Sequence, residues 1–441
     1  MEIEATLAAE RVSERVAALV DGYARRVYPA VLEQHHGASV SSPLGVWLLL
    51  AACVSAARGV YRGALEAVLG CSADEASELL AAFMAAPPSA LKAAIAVWVR
   101  AIDATEDLAG WVRGLPPAVE SGFMPTQQDA NAWAEKNTLG LIKSFPLSVD
   151  AFTRVVLASA LATKVSWPVR FDVVAADEHL GEQSPWLGKV KRLLWDSLPA
   201  RSAMIADTRA AGLVAVHHAV AKEDLTVISV SADPEVSRQA VLDAAHELVA
   251  FARQGSPAPA SSLFELPLGT GHSWQITEHE TATHIAGERV ERFTGVSLPA
   301  WSASSRLDLK SSDLFGAAPA LEVLRELIGP QPDDETEAVQ AAVASFTRQG
   351  FEAAAITAFM VRTSALRVPP EAGIERTAIL RFDHPYAAVA IAGRPTPPQP
   401  AGPTGPRAAF TGLPLFSAWV QEPQEVDEAS EVGSRTTPSA D

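Results

Sequence analysis

The run from Gly45 to Ala57 (GVWLLLAACVSAA) carries no charged residue and stops at Arg58. A helix that is apolar on every side has to be surrounded, by lipid or by protein. A membrane span needs about 20 apolar residues, more than this run holds, so the chain must build a core around it. Ser42-Pro43 opens the segment, serine at the N-cap and proline at the first helical position, where its missing N–H costs nothing. The sequence therefore predicts a buried core helix.

The remaining chain is able to enclose it. Of 441 residues 48% are hydrophobic and 20% charged, with 10 Trp and 15 Phe, which excludes disorder for the chain as a whole. At roughly 150 residues per domain the length admits two or three domains, and a single large mixed domain also fits. Val12, Val16, Leu19, Val20 and Tyr23 recur at helical spacing within residues 8–28. Tyr61 to Leu69 and Ser72 to Met84 read as further helices, the second capped by Ser72 with Asp74 and Glu75 in its first turn. Ala93 to Val99, Arg154 to Val165 and Leu225 to Val230 are short, apolar and suited to buried strands. Strand-like runs follow at SLFELPL and VERFTGVSLPAW, and Leu321, Leu324, Leu327 and Ile328 mark another helix. The class is α+β with large sheets.

Charge and cysteine usage narrow the chemistry. A formal net charge of -17 repels phosphate backbones, so nucleic acid is not an expected partner. No membrane span is expected either. The N-terminus MEIEATLAAERVSERV bears acids and a helical period where an export leader has a basic head and an apolar run. Its literal reading is cytoplasmic. Cys53 and Cys71 alone make neither a disulfide framework nor a four-cysteine metal site. His279-Glu280 with His284 spells HExxxH, whose second imidazole would sit about 500° around a helix from the first, off its face. These residues, and His217-His218 at a supposed sheet edge, read as ordinary polar positions. GxSxG, Walker and GxGxxG patterns do not occur, and no metal or cofactor is expected.

The informative segment has no ionisable chemistry. Phe346 to Gly373 (FTRQGFEAAAITAFMVRTSALRVPPEAG) runs from an alternating strand through small residues into a long linker ending at Pro369-Pro370. Alanine favours helix, yet at period two the same small side chains would slip between two existing strands at little steric cost. Two other stretches stand apart by composition. Gly393 to Arg407 has six prolines and three glycines, an expected surface loop, and the acidic residues 424–441 are expected to be disordered.

Taken in chain order, these landmarks resemble the serpin family from about residue 15 to Pro423. Ser42-Pro43-Leu44 is similar to the start of its helix B, and Asn131-Ala132-Trp133 with Thr138, Gly140 and Ile142 to its N-x-W-x(4)-T-x-G-x-I segment. Leu157 to Trp167 (LASALATKVSW) resembles the third strand of the family's central sheet A, with Lys164 and Trp167 in place. Val296 to Trp301, Phe382 to Ile391 (FDHPYAAVAI) and Leu413 to Pro423 resemble later strands, and Gly350 to Thr357 (GFEAAAIT) the hinge of the reactive-centre loop. The resemblance implies a single serpin domain over 1–423, a loop at about 346–370 and a Pro-rich insertion at 393–407. It also implies a monomer that is not an enzyme and whose partner is a serine or cysteine protease. Most of the family is extracellular, the alternative to the literal reading of the N-terminus.

The function so implied is suicide inhibition: the loop is cut as a substrate and inserts into sheet A with the acyl-enzyme attached. In the inserted strand Phe351, Ala353, Ala355 and Thr357 would point inward, and Glu352, Ala354, Ile356 and Ala358 outward. Distance from Gly350 puts the cut at Ser364-Ala365. Counting back from Pro369-Pro370 gives Leu366-Arg367, and Arg362-Thr363 is a trypsin-like third option. Three departures stand out. Phe351 is large for a hinge position that usually holds Thr or Ser, and overpacking costs about 1–3 kcal/mol. Arg348 replaces an acid. Ser159, Gln340 and Gly45, near Ser42, replace the family's polar latch, which is rebuilt or absent. The alternative function is a non-inhibitory binding or scaffold protein that is merely cut.

Overall fold

The structure is a computed structural model that describes residues 2–197, 202–283, 285–351, 371–395 and 409–426. The chain opens with α1 (Glu2–Gln34), β1 (Ser39–Ser41), α2 (Pro43–Val54), α3 (Gly59–Leu69) and α4 (Ala73–Ala85). There follow β2 (Leu91–Val99), α5 (Glu106–Gly114), β3 (Glu120–Phe123), α6 (Gln127–Asn137), β4 (Val155–Thr163), β5 (Val165–Ser166), β6 (Asp172–Ala175), α7 (Ala176–His179) and β7 (Arg192–Asp196). The middle holds β8 (Ala203–Thr208), β9 (Gly212–Val220), β10 (Leu225–Ser231), α8 (Arg238–Gln254), β11 (Gly269–Thr270), β12 (Trp274–Thr283), β13 (Arg289–Leu298) and β14 (Trp301–Asp308). The last elements are α9 (Ala317–Leu327), β15 (Val339–Phe346), β16 (Gly350–Phe351), β17 (Glu371–Arg381), β18 (Tyr386–Ala392) and β19 (Pro414–Val420).

Every residue of α2 except Leu49 is buried, as its uniform apolarity requires. Side chains such as Leu44 and Leu48 each contribute about 1.5–3 kcal/mol by leaving water. Ser42 sits at the N-cap position but does not cap with its side chain. Its hydroxyl instead donates to Leu415 O (2.8 Å) and ties the helix start to β19. Ser72 does cap α4, accepting from Glu75 N.

A six-stranded sheet, β1-β19-β18-β10-β9-β8, underlies α2 and α8. Its strands Leu225–Ser231, Tyr386–Ala392 and Pro414–Val420 are buried along their whole length on both faces, as their many apolar and small residues allow. His217 and His218 lie in β9, an inner strand rather than the edge expected from sequence. His217 Nε2 meets Asp196 Oδ2 at 3.1 Å, and burial pushes the His218 imidazole down to about 4. A second six-stranded sheet has the order β11-β12-β17-β13-β7-β6. SLFELPL, expected as a strand, forms a 3-10 turn at Leu263–Glu265 because Ser262 caps it, its side chain accepting from Phe264 N.

The remaining strands form β14-β15 on one side, β3-β2-β4 on the other, and the short pair β16-β5. Among the described residues no ladder joins β4 to β15. Hinge residues Glu352 to Thr357, the candidate cuts at Arg362-Thr363, Ser364-Ala365 and Leu366-Arg367, most of the Pro-rich stretch and residues 427–441 lie outside the described residues.

Candidate functional site

The gap between β4 and β15 is walled by strands that have little to interlock. Their sequences, VVLASALAT and VQAAVASF, are dominated by alanine, serine and valine. A cavity of about 100 Å³ occupies the gap, lined by Leu161 and Ser159 from β4, Gln340 and Ala342 from β15 and Gly45 from α2 beneath. Trp133 of α6 and Phe145 after it close the outer side.

Polar contacts at the start of α2 hold the two walls separately. Gln340 reads both backbone groups of Ser42, with Nε2 donating to Ser42 O (2.8 Å) and Oε1 accepting from Ser42 N (3.0 Å). On the other wall Ser159 Oγ donates to Gly45 O (3.0 Å). Glycine at 45 eases this approach, since a Cβ there would lie 2.8 Å from Leu161 Cδ1 and 3.3 Å from Ser159 Oγ, so those side chains would have to shift. Gln340 and Ser159 thus tie β15 and β4 separately to the start of α2.

At the top of the gap the chain reverses. Thr347 N and Oγ1 both donate to Gly350 O at 3.0 Å, closing a tight turn after β15. Gly350 and Phe351 then pair antiparallel with Ser166 and Val165 as β16 against β5. Only glycine fits at 350, where a Cβ would meet Val165 O at 2.1 Å. Trp167 N donates to Gln349 O (3.1 Å) and Trp167 Nε1 to Thr347 O (3.0 Å). Arg348 Nε donates to Phe171 O (3.0 Å), while Phe171 N donates to Arg348 O (3.2 Å). Arginine at 348 thus acts through its donor, which a carboxylate there would lack. Lys164 is exposed in the break between β4 and β5.

Phe351 is 4% exposed and meets Trp301 edge to face, ring centroids 6.3 Å apart. Ala344, Ala388, Ala390 and Ala418 line the small space around it. Where the ring lands, the sheet beneath carries alanines, which leave room for it in the native state. Reasoning from position alone had no signal for Trp301, Ala388, Ala390 and Ala418, which come from strands distant in sequence.

The feet of the two walls are joined by a cluster absent from the sequence reading. Arg154, just before β4, donates from Nη1 to Asp334 Oδ1 (2.8 Å) and from Nε to Asp103 Oδ1 (2.9 Å). Its Nη2 reaches Ile328 O (2.9 Å) and Gly329 O (3.0 Å). Burial pushes the Asp103 and Asp334 carboxyls up, but Arg100 and Arg154 for the first, and Gln331 N and Arg154 for the second, outweigh it and hold both below the usual range.

Hydrolase-like groupings elsewhere fail on geometry. Ser231, His384 and Asp383 have the composition of a triad, but His384 Nε2 lies 2.7 Å from Ala232 O and donates there, so it has no lone pair for the serine proton. His279 is in strand β12 with Nε2 2.9 Å from Glu375 Oε2, and His284 lies outside the described residues. Among the described residues no group of three potential ligands converges on a metal position, and no helix is long and apolar enough to cross a membrane.

Residues 19–179 match the serpin family, described as serine protease inhibitor. Comparison with curated proteins gives no match. Among solved structures, the thermophilic serpin tengpin in its native state superposes with a TM-score of 0.61 at 12% identity, over 93% of this chain and 94% of that one. Human thyroxine-binding globulin gives 0.58 at 14%, covering 94% and 100% of the two chains. Serpin48 of the insect Tenebrio molitor, described as highly specific, gives 0.54 at 16%, covering 92% and 97%. Joined to a split sheet with the start of a strand at its mouth, the match over residues 19–179 and the shared architecture show that the chain has the serpin fold.

Proposed function

We propose that the protein is a suicide-substrate inhibitor of a serine or cysteine endopeptidase, acting as a monomer through residues 346–370. The observation that carries this reading is the pairing of Gly350-Phe351 with Val165-Ser166 at the mouth of the gap. The first two residues of a new strand already have the antiparallel direction and inward ring that continued insertion needs. Below them, the rows of backbone groups on β4 and β15 face a gap instead of one another.

The protein supplies the scissile bond and the trap, and the protease supplies the chemistry. The enzyme's nucleophile attacks the carbonyl of Ser364 or of one of the alternatives, Arg362 and Leu366. The peptide bond breaks, the new amine leaves with the proton, and the acyl group stays on the enzyme. Glu352 onward then extends β16 between the walls, with Ala353, Ala355 and Thr357 inward, and carries the enzyme off before water reaches the ester. Each new ladder hydrogen bond contributes about 1 kcal/mol. Small inward side chains suit a gap walled by small residues.

The fold also serves a ligand carrier, since thyroxine-binding globulin shares it at a TM-score of 0.58. A non-inhibitory binding protein is accordingly the competing reading. Incubation with a panel of serine and cysteine proteases separates the two. A protease-linked band that survives denaturant supports inhibition, whereas cleavage without such a band contradicts it.

A further inference from the structure

The second six-stranded sheet contains a feature that loop insertion does not use. Strand β17, which follows the loop, is paired on both sides. It runs antiparallel to β12 from Trp274↔Leu380 to Thr283↔Glu371, and parallel to β13 from Arg289↔Ile374 onward. Cross-strand contacts rivet the three together. Thr277 Oγ1 meets Thr377 Oγ1 at 2.8 Å, Arg376 Nε donates to Glu278 at 2.8 Å, and Arg292 Nε lies 2.8 Å from Glu375.

The outer half of this triplet stands clear of the core. Thr277, Glu278, His279 and Glu280 are all exposed in succession, which for a strand means that both faces meet solvent. At the tip Ile285 is 68% exposed, while Gly287 N donates to Ala372 O and Ile374 N to Glu288 O. The chain thus spends ten residues in each of β12 and β13 to hold up a stiff flap, and the loop's returning end enters the fold at that flap's tip. Between 277–294 and 371–377 the flap carries six glutamates against three arginines.

We infer that this flap is a docking surface for the target endopeptidase, and that the partner presents to it an apolar and positively charged rim beside its cleft. The inference rests on the inhibitor reading. Its core is a length argument. From Ala365 to Glu371 is six residue steps, which an extended chain covers in about 20 Å. An endopeptidase domain of about 200 residues has a radius of gyration of about 16 Å and a body some 40 Å across. Over the three candidate bonds the reach to Glu371 is four to eight residue steps, about 13–27 Å, less than the width of that body, so a protease seated on any of them lies beside the flap. The surface it meets has an exposed isoleucine at its tip and an excess of acid, so it steers positive partners and resists negative ones. His279 and Glu280, exposed in β12, belong to this surface.

The test uses the full chain and the protease that cuts it fastest between residues 362 and 367. Glu280→Lys and Ile285→Asp, each checked for an unchanged thermal midpoint, are compared with the parent for the second-order rate of adduct formation at low and high salt. Both should slow association at least about fivefold, the Glu280→Lys effect shrinking as salt rises, with the ratio of trapped to cleaved protein unchanged. Equal rates in all three proteins overturn the flap's role and leave the inhibitor reading standing. Cleavage without any adduct overturns the inhibitor reading, and the same variants then test the flap through the cleavage rate, where equality overturns it as well. Variants that change oligomeric state instead of rate identify a second copy as the occupant and overturn the protease assignment. A panel that never cuts within 362–367 overturns both.

Discussion

Arg154 and Asp334, 180 residues apart in sequence, join the feet of the two strands that border the gap, with Nη1 2.8 and 2.9 Å from the two carboxylate oxygens. Their side chains are 10% and 8% exposed. The same guanidinium holds Asp103. Removing it leaves Asp103 to Arg100 alone and Asp334 to Arg325 and Gln331 N, so the loss is smaller than the ~3–5 kcal/mol of a fully broken buried pair and is about 1–3 kcal/mol. Arg154→Ala should therefore lower native stability by about that amount in a denaturant titration, and Arg154→Lys, which keeps the charge but not the fork, should recover only part. Equal midpoints for the parent and Arg154→Ala would remove the clamp from the account.

The clamp also fixes a pH dependence. Asp103 and Asp334 both have carboxyls held below their ordinary value, so the folded state binds fewer protons than the unfolded one as pH approaches that value. The stability they contribute is complete above about pH 4 and is lost as pH falls through the depressed folded values. Thermal midpoints between neutral and acid pH should fall below about pH 4, and Asp334→Asn, which has no proton to gain there, should show a shallower fall. Parallel profiles would count against this assignment.

Phe351 is seated in the native state, and the same ring stays seated when the strand behind it inserts. Phe351→Thr should thus lower the midpoints of both native and cleaved protein, by an amount approaching the ~3–5 kcal/mol of a lost core aromatic. The ratio of trapped to cleaved product should stay as it was. A rise in that ratio would show that the ring retards insertion and that its alanine-lined seat does not relieve it.

Glu352→Pro acts one residue further on. Proline removes a ladder donor inside the new strand, so cutting should proceed while the denaturant-stable adduct disappears on gels. An undiminished adduct band would mean that insertion beyond Phe351 is not what traps the enzyme.

Much of the scaffold was legible because it follows from local pattern. The uniform apolarity of Gly45 to Ala57 located a buried helix, and Ser42-Pro43 opens it. What escaped depends on partners far away in the chain. Ser42 turns from cap to tether because Leu415 lies beside it, and Gln340 ties β15 to the start of α2 through the Ser42 backbone. Arg154 gives no sequence signal at all. Leu263 to Leu266 was misread because a short apolar run fits a strand or a turn equally until a cap such as Ser262 decides.

The central claim is that the native chain holds an unfilled strand position that a cut loop can occupy. Nicking anywhere between Ala358 and Leu366, with any protease, frees Glu352 to Ala358 to follow Phe351 between β4 and β15. An ordinary nick lowers stability, because it adds freedom to the unfolded chain and removes contacts. The sign of the change in thermal midpoint after such a nick is therefore the most direct measurement. The account predicts a rise well beyond the ~2–4 °C that one kcal/mol gives in domains of about 150–250 residues. A nicked protein that melts at the same temperature or lower would contradict it and leave the binding or scaffold reading in its place.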